Sequence, residues 1–202
     1  MKTIIFDMYG VIIKESKGNF IPYTYNHFPQ AEHERITKAF RADHLFTKAG
    51  NGEITSDELL TALGYDDTRF HMRDYIENHL TMDEEFYTFA EQMKGIFEFA
   101  LLSNDVSEWS KYITEFYKLN EYLRLKIVSA DVRCRKPDAK IFEIALELLG
   151  VPAGECIFID NSVSNLRVAS QFGMEAILFN RDNEDYDGKV VYSFTELSRI
   201  LQ

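Results

Sequence analysis

The chain has 202 residues, 46% of them hydrophobic, enough for one medium domain or for a core with a small inserted domain. Its net charge of −11 argues against nucleic acid or an anionic membrane as partner, because both require a basic face. No apolar run approaches the roughly 20 residues of a membrane span, and Cys134 and Cys156 have neither metal-like nor redox-like spacing. The cysteines are read as reduced. Met1-Lys2 runs straight into a strand, with no room for a signal peptide, so a cytoplasmic protein is expected.

Lys2 to Phe6 is a short apolar run that ends in Asp7 and continues as Met8-Tyr9-Gly10-Val11-Ile12-Ile13. This is the pattern of a buried parallel strand with a carboxylate at its C-terminal tip. In open α/β sheets that edge binds ligands. Taken alone, Asp7 is as readily a turn cap as a nucleophile.

Residues 14–84 change to helical spacing. Ala31 to Leu45 carries Ile36, Ala39, Phe40 and Leu45 near a 3.6-residue period, and Ala49 to Gly52 interrupts it. Ser56-Asp57-Glu58 opens a helix with Leu59, Leu60 and Leu63, stopped by Gly64, and Arg69 to Leu80 reads as another. The insert is expected to form a lid over the strand tips. All five histidines (His27, His33, His44, His71, His79) fall within it, none at i, i+4 spacing, so surface or lid packing is preferred over a metal site. Arg41 is a candidate for a substrate anion, with a solvated helix charge as the alternative. Phe20, Tyr23, Tyr25 and Phe28 are lid core or, alternatively, a binding surface.

From Glu85 an α/β alternation resumes. Helices are expected over Phe86–Met93, Val106–Lys118, Ala139–Leu149, Val163–Phe172 and Phe194–Leu201. Strands are expected over Ile96–Leu102, Leu125–Ser129, Cys156–Ile159 and Met174–Phe179, with Val190–Tyr192 near the end. Asn180 to Gly188 reads as a solvated acidic turn. Strands alternating with helices imply a doubly wound parallel sheet. Its tips would gather Asp7, Ser103-Asn104, Asp160-Asn161 and, between a strand and a helix, Lys136. A nucleophilic carboxylate, a hydroxyl, an amide, a lysine and a second carboxylate in one crevice suit metal-assisted attack on a phosphoryl group.

On these stretches the chain resembles the haloacid dehalogenase-like hydrolase superfamily, in the branch with a helical cap after the first strand. The matching segments are Ile4 to Val11, Leu101 to Asn104, Arg135 to Asp138, Phe158 to Asn161 with Asn165 and Gly173, and the cap stretch Gly52 to Glu58. The resemblance implies a Rossmann-like core over residues 1–13 and 85–202 with a helical cap over 14–84, the first strand being central. It implies that Asp7 attacks phosphorus and becomes an aspartyl-phosphate. Ser103, with the backbone after it, would hold a phosphate oxygen, and Lys136 would neutralise charge. Mg²⁺ would bind Asp7, the Tyr9 carbonyl, Asp160 and Asn161.

Two positions depart from that pattern. Tyr9 stands where phosphatases of the family carry an acid/base Asp, and a phenol with a pKa near 10 is a poor base at neutral pH. Asn161 stands where many relatives have Asp, which removes a charge. Asp7, Asp160, Lys136 and Mg²⁺ sum to +1, against zero with Asp at 161, so a phosphatase reading implies strict metal dependence. Tyr9 is also what the family's dehalogenases resemble. Against that activity stand Phe142, where those relatives carry a tyrosine, and Asp160, whose charge would repel a haloacid carboxylate. The expectation is therefore a Mg²⁺-dependent phosphatase of a small phosphorylated metabolite, monomeric or homodimeric. The alternatives are a 2-haloacid dehalogenase and a degenerate member that binds a phospho-ligand or protein without turnover. Asp7, Tyr9 and Lys136 would be catalytic, with Ser103, Asn104 and Arg41 at the substrate.

Overall fold

The structure is a computed structural model and describes residues 1–201. Six strands form one all-parallel sheet in the order β3-β2-β1-β4-β5-β6. They are β1 (Thr3–Phe6), β2 (Glu98–Ser103), β3 (Leu123–Val128), β4 (Cys156–Asp160), β5 (Glu175–Phe179) and β6 (Lys189–Val191). The helices are α1 (Phe20–His27), α2 (His33–Arg41), α3 (Leu45–Gly50), α4 (Ser56–Leu63), α5 (Thr68–His79), α6 (Glu85–Met93), α7 (Ser107–Phe116), α8 (Ser129–Val132), α9 (Ala139–Leu149), α10 (Val163–Gln171) and α11 (Phe194–Leu201).

β1 and β4 are buried along their whole length, which is why their sequences are unbroken apolar runs rather than alternating ones. Alternate residues point to opposite faces of the sheet. Ile4 and Phe6 join a cluster with Phe86, Phe89 and Phe194 from α6 and α11, while Ile5, Leu102 and Phe158 pack on Ile141, Phe142 and Leu166 from α9 and α10. Helices therefore cover both faces. The chain crosses from β3 back over β2 and β1 to reach β4, so the order of strand addition reverses between β1 and β4, where a crevice opens at the strand tips.

Helices α1 to α5 follow β1 as an insert. Its outgoing and returning segments pair: Lys14 N donates to Thr81 O at 2.9 Å and Asp83 N to Ile12 O at 2.9 Å. α4 begins with a capping box, Thr55 accepting from Glu58 N while the Glu58 carboxylate accepts from Thr55 N. The insert does not pack by itself. Trp109 of α7 lies among Phe20, Phe46 and Tyr75, with ring centroids 4.7, 5.9 and 5.3 Å away, and its Nε1 donates to Ser56 Oγ at 2.6 Å. One apolar cluster therefore runs from the sheet into the insert.

Local structure departs from the sequence expectation at two places in the insert. The stretch Ala31–Leu45 is not one helix: α2 stops at Arg41, and His44 adopts a left-handed conformation (φ 54°) before α3 starts. α1 was not apparent from the sequence because Pro22 stands in it. Pro22 is the third residue, inside the first turn, where its missing N–H costs nothing. Phe20, Tyr23 and Thr24 form its buried stripe, so two of the four lid aromatics are core.

Candidate active site

The crevice is a cavity of about 310 Å³ at the tips of β1, β2 and β4, roofed by Phe46 and Tyr75 of the insert. Its floor is a charge network. Lys136 Nζ lies 2.7 Å from Asp7 Oδ1 and 2.8 Å from Asp160 Oδ2, and all three side chains are buried. Met8 N also donates to Asp7 Oδ1 at 2.8 Å. Both protein donors to Asp7 thus land on one oxygen, leaving Oδ2 for other work. Asp160 is held by Asn165 Nδ2 at 2.9 Å and Ser162 N at 2.7 Å.

Burial pushes the Asp7 carboxyl up to about 7; Lys136 opposes that rise and Asp160 adds to it. For Lys136, burial alone pushes the ammonium down. The two carboxylates more than offset it and hold the group above the ordinary lysine value. Lys136 therefore stays charged between the two acids.

Lys136 is placed by Asn104. The Asn104 amide donates from Nδ2 to Lys136 O at 2.9 Å and accepts from Lys136 N at 2.8 Å. An amide matches a peptide's N–H and C=O pair, so this side chain, which lines the cavity, grips the lysine backbone. Ser103 is fully buried, does not line the cavity, and its Oγ has no hydrogen-bond partner among the described residues. Arg41 is a correction to the sequence reading: it is exposed and does not line the cavity. It follows the buried Ala39 by two residues and Ile36 by five, which places it on the opposite side of α2.

Tyr9 lines the cavity, but its hydroxyl donates to Asp105 Oδ1 at 3.2 Å. Burial raises the phenol well above its usual value, and the neighbouring Asp105 adds to the rise. Burial also pushes the Asp105 carboxyl up to about 8, although Val106 N and the Tyr9 hydroxyl bond to it. Its Oδ2 is buried without a hydrogen-bond partner among the described residues. Asn161 Nδ2 donates to Asp182 Oδ2 at 3.0 Å, and Ser16 Oγ donates to Asp182 Oδ1 at 2.8 Å.

Lys17 and Arg135 are the cations on the rim, and Asp182 and Glu184 its carboxylates. Sequence reasoning gave none of these four a role, nor Asp105. Asp105 was visible as the third polar residue after the β2 run. Asp182 stood in a stretch read as solvated turn. The signal was its place just after β5, the strand beside β4.

Among the described residues no group of three or more His, Cys, Asp or Glu side chains gathers as a metal cage. Asp7 and Asn161 line the crevice and the Asp160 carboxylate lies directly behind Lys136, so the groups gathered here are oxygen donors. That all-oxygen set fits Mg²⁺, which takes one or two carboxylates and completes its shell with water and phosphate oxygens. Three of the histidines gather elsewhere, in the insert. His27 and His79 Nε2 each lie 3.9 Å from Asp74 Oδ2, and the His71 ring is hydrogen-bonded to Tyr23 at 3.0 Å. No helix among the described residues is long and apolar enough to cross a membrane.

Comparison with known proteins finds a dehalogenase and a phosphatase among the relatives. (S)-2-haloacid dehalogenase 4A of Burkholderia cepacia is 26% identical over 79% of this chain, which spans 62% of that relative's length. D-ribitol-5-phosphate phosphatase of Bacteroides thetaiotaomicron is 23% identical over 87% of this chain and 90% of its own. Among solved structures, a HAD phosphatase from Thermococcus onnurineus superposes with a TM-score of 0.77 at 20% identity, covering 100% of this chain and 98% of that one. A HAD family enzyme of Bacteroides thetaiotaomicron, solved with magnesium and inorganic phosphate, gives 0.75 at 20% identity over 93% and 98%. These likenesses show the Rossmann-like fold. The family model of haloacid dehalogenase-like hydrolases matches residues 1–173, and the chain belongs to that family of hydrolases.

Proposed function

We propose that the chain is a Mg²⁺-dependent phosphatase of a small phosphorylated metabolite, working through an aspartyl-phosphate on Asp7. The observation that carries this reading is the bridge of Lys136 between Asp7 and Asp160. It keeps one nucleophilic carboxylate beside a second, buried carboxylate of the kind a hard cation needs. Asp7, Asp160, Asn161 and the Tyr9 carbonyl would hold Mg²⁺, which when bound would offset phosphate charge. Among the described residues Asp7 Oδ2 has no protein donor, and it is the oxygen that attacks phosphorus. The P–O bond to the leaving group breaks with its electron pair. Water then cleaves the acyl phosphate, releasing phosphate and restoring the carboxylate.

Tyr9 is turned to Asp105, so the site favours leaving groups that need little protonation. The cavity volume suits a small ligand. The test is release of p-nitrophenol from its phosphate ester by the full chain, with Mg²⁺ and with EDTA. Metal-dependent release is expected; none with metal present would sink the reading.

Tyr9 and the Burkholderia relative favour a second reading, halide displacement from a 2-haloacid. Phe142 opposes it: buried between Phe158 and Phe172, it offers no hydroxyl to a substrate. Chloride release from 2-chloropropionate without metal would establish that reading instead.

A further inference from the structure

We propose that Asp182 is a positioning residue for the metal corner of the site. It fixes the Asn161 amide with its oxygen toward the site and supplies, from the neighbouring loop, the negative charge that an amide lacks. The inference rests on the Mg²⁺ reading above and deepens it.

The orientation comes from hydrogen-bond chemistry. An ionised carboxylate only accepts, so Asp182 can pair only with the NH₂ end of the amide. The 3.0 Å bond to Asn161 Nδ2 therefore leaves Oδ1 as the free end. Packing also confines the amide. Gly10 has φ +87°, and a Cβ there would lie 2.4 Å from Asn161 Nδ2 and 2.6 Å from its Cγ. The amide is pressed against bare backbone on one side and Asp182 on the other.

The loop that brings Asp182 is itself anchored. Arg181 donates to Gly10 O at 3.1 Å and to Val11 O at 3.2 Å, and it pairs with Asp83. Ser16, in the segment leaving the core for the insert, holds the second Asp182 oxygen.

The charge count changes accordingly. Asp7, Asp160 and Lys136 sum to −1, and Asp182 takes the corner to −2, which a divalent cation neutralises. Asn161 and Asp182 thus act as a swapped pair: amide at the strand tip, carboxylate one step behind it. An Asp at 161 would instead face Asp182 across a hydrogen-bond distance with no proton between them.

The test is calorimetric titration of the full chain with MgCl₂. Asp182→Asn keeps an acceptor for the Asn161 amide but removes the charge, and should weaken Mg²⁺ about three- to tenfold. Asp182→Ala removes both and should weaken it further. Asn161→Asp alone should bind no tighter than the parent. The exchanged pair, Asn161→Asp with Asp182→Asn, should recover parental affinity or exceed it, a rescue that a merely structural loop contact would not produce. If Asn161→Asp tightens Mg²⁺ equally with and without Asp182, the two sites are independent and the inference falls while the metal reading stands. If the parent chain takes up no Mg²⁺, both fall together.

Discussion

The floor and the rim of the cavity are built differently. The floor is Asp7, Lys136 and Asp160, three buried charges in mutual contact, each at or beside the tip of a parallel strand. The rim is Lys17, Arg135, Asp182 and Glu184, carried by loops, with the two acids and Lys17 exposed. A buried charge is costly unless paired, so the floor has one workable arrangement and tolerates little. Rim charges are screened by water and salt, so they tune binding without holding the fold. On the function proposed above, the contrast separates the groups assigned to the chemistry from those assigned to substrate binding.

Asp7→Asn should break the floor most completely. An amide is not a nucleophile, so p-nitrophenyl phosphate turnover should fall by at least about 10³-fold with the far-UV spectrum unchanged. Activity near the parental level would remove Asp7 from the nucleophile role. Lys136→Met should cost stability as well as turnover, on the order of 3–5 kcal/mol, because two buried carboxylates lose their shared cation. Denaturant unfolding reads this directly; a loss below about 1 kcal/mol, the range of exposed pairs, would mean the bridge is not held in solution.

Asp105, buried behind Tyr9, can be tested through pH. Its folded pKa, about 8, lies above the unfolded value near 3.9. Between those values the folded state keeps a proton that the unfolded state has lost. The stability this contributes is complete below the unfolded pKa and is lost as pH rises through about 8. Asp105→Asn removes the titration. Relative to that variant, the parent should lose about 1–3 kcal/mol between pH 5 and pH 9. Parallel stability curves would show Asp105 to be ionised throughout.

The rim should respond differently. Arg135→Ala should raise KM about tenfold with kcat within about threefold, the signature of lost substrate binding. An equal fall in kcat would move Arg135 from the rim to the chemistry. Arg41→Ala, exposed on the far side of α2, should leave both constants within about twofold. A larger effect would bring α2 to the substrate.

The apolar runs of β1 and β4, each ending in a carboxylate, are buried strands of a parallel sheet on their own evidence. So is the α/β alternation after Glu85. Any parallel sheet sends its tips to one edge, which is why Asp7, Lys136 and Asp160 could be grouped before any coordinates. The sequence could not show which partner each polar side chain chooses. Asn104 spends its amide on the Lys136 backbone, and Tyr9 turns to Asp105. Asp182 reaches Asn161 because β5 lies beside β4. Two helices of the insert were legible, α4 stopped by Gly64 and α5, but its packing was not, since Trp109, more than fifty residues from Phe20 and Phe46, supplies the ring they pack on. Periodicity and strand-end chemistry are local properties that one stretch of chain specifies. Hydrogen-bond choice and loop placement depend on what strand order brings alongside, and only the folded chain decides that.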